Sequence, residues 1–323
     1  MRRAVILGTG AYLPQRVMEN ADFEKMLETN HQWIVERTGI ERRHIAAEGE
    51  LTSDLATQAG KQALENAEVS PDDIDLVIVA TTTPDDTMPA TAVKVQHKLG
   101  MMRGAAFDVN AACSGFVYAM TVANSFIVSG QAKRVLVIGA ETYSRILDWT
   151  DRTTCILFGD GAAALVLEAQ EQPGTSNDRG ILFAGIHSDG QYTHLLNTTG
   201  GVSSTMTAGK LYMAGKEIFR HAVIKMPEAV EEGMRALGLP ASAVDWLVPH
   251  QANMRILNGV AQKLHVSEDK VISTVAGHAN TSAASIPLAL HAGSRDGRIK
   301  KGQLLACPAL GAGLTWGCFI ARW

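Results

Sequence analysis

Cysteine is scarce: the four in 323 residues, at 113, 155, 307 and 318, form no CxxC pair and no metal-ligand spacing. That argues against a disulfide scaffold and against a zinc site. There is no excess of basic charge either. Lys and Arg number 29 against 33 Asp and Glu, a net charge of −4, so nucleic acid is not an expected partner and any anionic ligand must be met by a local patch. The start of the chain carries no long hydrophobic run, since Met1-Arg2-Arg3 is followed by four apolar residues before Gly8-Thr9-Gly10. That is too short for a signal-peptide core or a membrane span, so the expectation is a cytoplasmic protein without membrane association. Low-complexity and coiled-coil segments are also missing. What remains is ordinary globular usage, 46% hydrophobic and 19% charged, long enough to bury one large core or two fused ones.

Short β-branched runs at residues 4–7, 76–80, 135–138, 164–167, 181–183, 246–248, 304–306 and 318–321 alternate with helical stretches, which predicts α/β layers. Over residues 53–67, Leu55, Ala56, Ala59, Ala63 and Leu64 fall on one helical face, with Thr52 or Ser53 as the expected cap. The two halves read as copies. "DIDLVIVA" from Asp73 is echoed by "AVDWLVPH" from Ala243, so Asp75 maps to Asp245 at an offset of 170, and "RVLVIGAE" from Arg134 lies over "QLLACPAL" from Gln303. This points to an internal duplication of about 150 to 170 residues. The turn-rich segment "EQPGTSND" at 171–178 divides the halves into residues 1–172 and 179–323. Shifting Cys113 by the same offset lands three residues from Asn280, at an equivalent strand-to-helix turn.

Four segments carry candidate chemistry. "FDVNAACSGF" puts Cys113 after a short strand and before a helix. A lone cysteine is most often a small buried hydrophobe. Here, however, the flanking Ala111, Ala112, Ser114 and Gly115 leave room for a substrate, and the helix N-terminus is expected to favour the thiolate. "DWLVPHQANMRI" puts His250 after a buried strand, at the expected start of a helix, and "GHANTSAASIP" puts Asn280 before another apolar helix, where its bland role would be an N-cap. "PALGAGLTWGCF" supplies a Gly-rich turn at 311–313. The "GTGAYL" of Gly8 lacks the third glycine of a dinucleotide fingerprint, so no nicotinamide cofactor is expected.

With "WIVERTGIERRHIA" from Trp33, "FGDGAAA" from Phe158 and "NTSAAS" from Asn280, these segments give a chain that resembles the β-ketoacyl-acyl carrier protein synthase III family of the thiolase superfamily over essentially its whole length. The resemblance implies a five-layered αβαβα thiolase fold of two pseudo-symmetric halves. It implies a decarboxylative Claisen condensation of a short acyl-CoA, acetyl-CoA as main primer, with malonyl-acyl carrier protein, without cofactor or metal, in a homodimer. It implies Cys113, His250 and Asn280 as catalytic residues and the backbone N–H groups of Cys113 and Ala312 as oxyanion hole. Trp33, Arg37, Arg152, Thr29, Gly215, Phe219 and Asn253 would meet CoA and its pantetheine, and Met88 would close the acyl pocket of a partner subunit. Arg255, with Arg220 and Lys263, is expected to dock the acidic carrier protein. Elongating synthases differ in having a second histidine where this chain has Asn280, and plant-type polyketide synthases lack the "ERTGI" segment. Ala279 and Ala312 depart from the family's usual glycines, and Thr29-Asn30-His31-Gln32 replaces a more acidic stretch. Competing expectations are a secondary-metabolite condensing enzyme with another acyl donor, a thioester hydrolase, and a catalytically dead acyl-CoA-binding subunit, the last disfavoured by the intact triad.

Overall fold

The computed structural model describes all residues from Met1 to Trp323. Two sheets are built from nine principal strands: β1 (Arg2–Tyr12), β2 (Leu76–Ala80), β3 (Ala105–Val109), β4 (Arg134–Glu141), β5 (Gly161–Glu171), β6 (Gly180–Ser188), β7 (Trp246–Leu247), β8 (Leu304–Gly311) and β9 (Thr315–Arg322). Every residue of β2 is buried, as a strand with helices over both faces requires. The first sheet runs β1-β5-β4-β2-β3 and the second β6-β9-β8-β7. In the first sheet β2 pairs parallel with both β4 and β3, in the second β7 pairs parallel with β8, and in each the remaining two pairings are antiparallel. The second sheet therefore repeats the first, except that its outermost strand shrinks to a single parallel bridge between Leu247 and Val271. The offset of 170 holds for the strand starts, 76 to 246 and 134 to 304, and for the short turns Ala112–Ser114 and Ser282–Ala284.

The main helices are α1 (His31–Thr38), α2 (Thr52–Ala67), α3 (Thr91–Lys98), α4 (Gly115–Val128), α5 (Gly215–Ala236), α6 (Met254–Lys263) and α7 (Ser285–Arg295). Helices α2 and α3 cover the outer face of the first sheet, α4 and α7 fill the space between the sheets, and α5, backed by α6, covers the outer face of the second. These are the five layers of a thiolase fold. Leu55, Ala56, Ala59, Ala63 and Leu64 all face the core as their spacing predicts.

Two local expectations are corrected. Helix α2 is capped by neither Thr52 nor Ser53. It starts one residue earlier, Asp54 Oδ2 accepts the Leu51 N–H at 2.9 Å, and Thr52 Oγ1 donates to the Thr83 carbonyl at 2.6 Å. Both hydroxyl residues are buried against the loop after β2, so tertiary bonds take the groups that a local cap would use. His250 does not open a helix. It lies in extended chain, and α6 begins at Met254 behind Asn253, whose Oδ1 accepts the Ile256 N–H at 3.0 Å.

Candidate active site

Cys113 occupies the turn Ala112–Ser114 that joins β3 to α4, with its side chain buried. The turn is gripped by the loop between β8 and β9. A Cβ on Gly311 would stand 2.8 Å from the Cys113 and Ser114 nitrogens and from the Ala111 carbonyl oxygen, so only glycine allows the approach. Thr315 Oγ1 lies 2.6 Å from Ser114 Oγ and 3.1 and 2.9 Å from the Ala111 and Ala312 carbonyl oxygens. No backbone carbonyl accepts the N–H of Cys113 or Ala312, which fits both to meet an oxyanion. The expected thiolate is corrected: burial, reinforced by the nearby Glu141, pushes the Cys113 thiol up to about 12 against a smaller lowering by Ser282. Burial thus disfavours the thiolate that the helix N-terminus was expected to favour.

His250 is buried at the end of β7, its N–H donating to the Pro308 carbonyl at 2.9 Å. Its Nδ1 lies 2.7 Å from Ser285 Oγ, which also accepts the Gln251 N–H at 3.2 Å. In the tautomer where the Ser285 hydroxyl donates to Nδ1, Nε2 carries the ring proton and is a donor. Burial pushes the His250 pKa down to about 3, and the ring is neutral. Asn280 Oδ1 accepts the Ser282 N–H at 2.8 Å, which leaves its NH₂ as the free end. The cap-like reading and the catalytic one thus describe the same residue, the backbone bond fixing which end of the amide faces out.

Cys113, His250 and Asn280 meet on one cavity of about 380 Å³ that also includes Trp33, Arg37, Arg152, Gly215, Phe219, Asn253 and Arg255. The three catalytic candidates are buried and the arginines exposed, so the cavity leads from a cationic mouth to a buried sulfur. The Trp33 ring lies under two guanidiniums, with Arg37 Cζ 4.6 Å and Arg152 Cζ 5.2 Å from its centroid. Arg152 also donates to the Glu28 carbonyl. Two expected residues fall outside. Thr29 does not line the cavity, its hydroxyl buried without a partner. Met88 is 84% exposed, which excludes a gap-filling role in the core of this subunit. Arg220 is exposed and paired to Glu217 at 2.9 Å. Lys263 lies further along the same face, sharing a depression with Phe219. Sequence reasoning missed the apolar wall formed by Ile218, Ala222 and Met226 of α5, although their four-residue spacing was there to see. It also missed Ser285 and Glu141, which no local pattern marks.

A sheet repeated about a central helical layer, with a cysteine at the N-terminal end of one central helix facing a histidine and an asparagine from the other half, defines the thiolase-fold condensing enzymes. Models of 3-oxoacyl-[acyl-carrier-protein] synthase III match residues 107–190 and, for its C-terminal part, 234–323, and the chain belongs to that family. It is 58% identical to the beta-ketoacyl-[acyl-carrier-protein] synthase III of Jannaschia sp., covering 99% of both chains. Identity to the enzyme of that name from Brucella melitensis is 56%, covering all of both. The 3-oxoacyl-[acyl-carrier-protein] synthase III of Aquifex aeolicus superposes with a TM-score of 0.93 at 44% identity, over 99% of this chain and 100% of that one. The priming β-ketosynthase of the R1128 polyketide pathway superposes at 0.90 with 33% identity, over 99% and 97%.

Proposed function

We propose that Cys113, His250 and Asn280 are the catalytic residues of this condensing enzyme, an acyltransferase that initiates fatty acid synthesis by joining an acyl-CoA to malonyl-acyl carrier protein with loss of CO₂. The observation that carries the assignment is their convergence on one cavity whose outer end is lined by Arg37, Arg152 and Arg255. Cys113 Sγ attacks the thioester carbonyl, and the Cys113 and Ala312 N–H groups take the oxyanion, an arrangement whose loss costs about 10²- to 10³-fold in rate. Malonyl-carrier protein follows into the emptied cavity. As CO₂ leaves, negative charge collects on the thioester oxygen, where His250 Nε2–H and the Asn280 NH₂ both donate. A carboxylate at either position would repel that charge. The enolate carbon then attacks the acyl group and Cys113 departs as the leaving group.

The paired guanidiniums at Trp33 suit the phosphates and adenine of CoA, while Gly215, Phe219 and Asn253 suit its pantetheine arm. Arg220, Arg255 and Lys263 suit the acidic carrier protein, and acetyl-CoA is the proposed primer. A homodimer in the cytoplasm, with each subunit divided into halves 1–172 and 179–323, completes the reading. The secondary-metabolite alternative is not favoured, since identity to the fatty-acid-type relatives reaches 58% against 33% for the polyketide priming synthase. Incubation with radiolabelled acetyl-CoA tests the assignment. Label should reside on Cys113 and move to a β-ketoacyl-carrier protein when the malonyl partner is added, and label lost to water would indicate a hydrolase instead.

A further inference from the structure

The two N–H groups offered to the oxyanion come from chain segments about two hundred residues apart, and few polar contacts hold those segments together. Cys113 belongs to the turn Ala112–Ser114 in the first half, and Ala312 to the hairpin loop between β8 and β9 in the second. No backbone hydrogen bond joins residues 111–115 to residues 311–315. Gly311 lets the two segments touch, since a Cβ there would meet the Cys113 and Ser114 nitrogens. A van der Waals contact of that kind resists compression and does little against sliding or separation. The hydrogen bonds across the seam all pass through one side chain, that of Thr315, which opens β9 opposite Gly311. Its Oγ1 lies 2.6 Å from Ser114 Oγ and 3.1 Å from the Ala111 carbonyl oxygen on the far side, and 2.9 Å from the Ala312 carbonyl oxygen on its own side.

The protons can be placed without loss. Ser114 is fully buried, and its hydroxyl also reaches the Ala111 carbonyl at 2.8 Å. If Ser114 donates across the 2.6 Å pair, the Thr315 proton goes to the Ala312 or the Ala111 carbonyl. If Thr315 donates, the Ser114 proton goes to the Ala111 carbonyl. Both hydroxyls are satisfied in either arrangement, and in either one a short bond spans the seam. Thr315 therefore holds the residue that carries one oxyanion donor, by its carbonyl, against the turn that carries the other.

We propose that Thr315 is a positioning residue of the oxyanion hole, its hydroxyl setting the spacing between the Cys113 and Ala312 N–H groups. The inference rests on Cys113 being the nucleophile and on those two groups meeting the oxyanion. Such donors act only when both point at one oxygen from about 2.7 to 3.1 Å, so an opening of the seam weakens at least one of them. A tetrahedral oxyanion forms when Cys113 is acylated and again when the enolate attacks the acyl group, and Thr315 acts on both steps. Decarboxylation is different, because its charge falls to His250 and Asn280. These are anchored by Pro308 and Ser285, and by Leu157, Gly159 and Ser282, with no bond through Thr315.

Thr315→Val keeps the shape of the side chain and removes the hydroxyl. Ser114 retains the Ala111 carbonyl as acceptor, so no buried donor is stranded. Single-turnover acylation by acetyl-CoA should slow about tenfold, short of the roughly 10²-fold cost of losing a donor outright. The acetyl-CoA concentration at half-saturation should not change, since CoA is held at the mouth of the cavity. Release of CO₂ from malonyl-carrier protein by the unacylated enzyme should stay at the parent rate. Thr315→Ser, which keeps the hydroxyl, should return acylation to near that of the parent. A Thr315→Val enzyme acylated at the parent rate overturns the proposal, and so does one that loses acylation and decarboxylation alike, which would leave Thr315 a packing residue. If circular dichroism finds that variant unfolded, Thr315→Ala, which adds no bulk, decides by the same split. Mass spectrometry of the wild-type acyl-enzyme separates two kinds of failure. An acyl group found elsewhere than on Cys113 refutes the parent assignment together with the inference, whereas acyl-Cys113 with an unaffected Thr315→Val refutes the inference alone.

Discussion

Ala279 adopts φ 56° and ψ −159°, a conformation glycine takes freely and an L-residue holds at a cost of about 1 to 3 kcal/mol. It directly precedes Asn280, so the strain lies at the edge of the site. Ala279→Gly should raise stability to urea by about 1 kcal/mol, the relief of strain being partly offset by the added freedom of the unfolded chain. A lower midpoint would mean the methyl group packs to more advantage than its backbone costs. His250→Ala and Asn280→Ala should spare labelling of Cys113 by acetyl-CoA while lowering malonyl decarboxylation by about 10²-fold or more, since each removes a donor to the enolate oxygen. Equal losses in both half-reactions, followed separately by label transfer and CO₂ release, would contradict that division. Cys113 stood out in the sequence by its small neighbours at a strand-to-helix turn, whereas His250 and Asn280 were singled out by the resemblance of their segments to the family. Their protonation states were not legible, because they depend on desolvation by distant chain. Cys113 is buried in part by a loop about two hundred residues away, and that burial opposes the expected thiolate.

Helices α5 and α6 carry the cavity wall and the basic face together. Arg255, in the first turn of α6, rims the cavity and stacks 5.7 Å from the Phe219 ring of α5, whereas Arg220 is partly neutralised by Glu217. Arg255 should therefore dominate carrier-protein docking. Arg255→Glu is expected to raise the KM for malonyl-carrier protein about tenfold, roughly 1.4 kcal/mol, with a smaller effect on acetyl-CoA. Equal effects on both substrates in steady-state assays would assign the residue to the CoA site alone. Every strand core marked by β-branched runs became a strand, yet β1 and β5 each extend to eleven residues because they pair with each other along their full length. Periodicity finds the buried centre of such a strand, and pairing sets its ends. The same limit explains the cap of α2, where tertiary bonds to the loop at 83–85 displaced the local rule.

At the scale of the molecule, the repeated strand order follows an offset already visible between Asp75 and Asp245, so the layering was readable before any contact was known. A partner subunit was expected only through the family resemblance, and Met88 is the residue on which that expectation turns. It projects from the segment between β2 and α3, almost wholly exposed, and β3 nearby leaves the outer edge of its sheet unpaired. If Met88 closes a partner's acyl pocket, Met88→Phe should narrow primer use to acetyl groups and Met88→Ala should admit longer ones, each methylene shifting discrimination by about 1 to 3 kcal/mol. Competition between acetyl-, propionyl- and butyryl-CoA measures this, and identical profiles for all three enzymes would remove Met88 from the pocket. The grip of Gly311 and Thr315 on the nucleophile turn has a consequence for how the protein comes into being. Chains emerge from the ribosome N-terminus first, so the turn bearing Cys113 is made long before residues 311–315 have been synthesised. Until the last hairpin arrives, the sulfur lacks one wall, and a chain truncated before residue 311 should present a thiol that the finished protein leaves open only through its cavity.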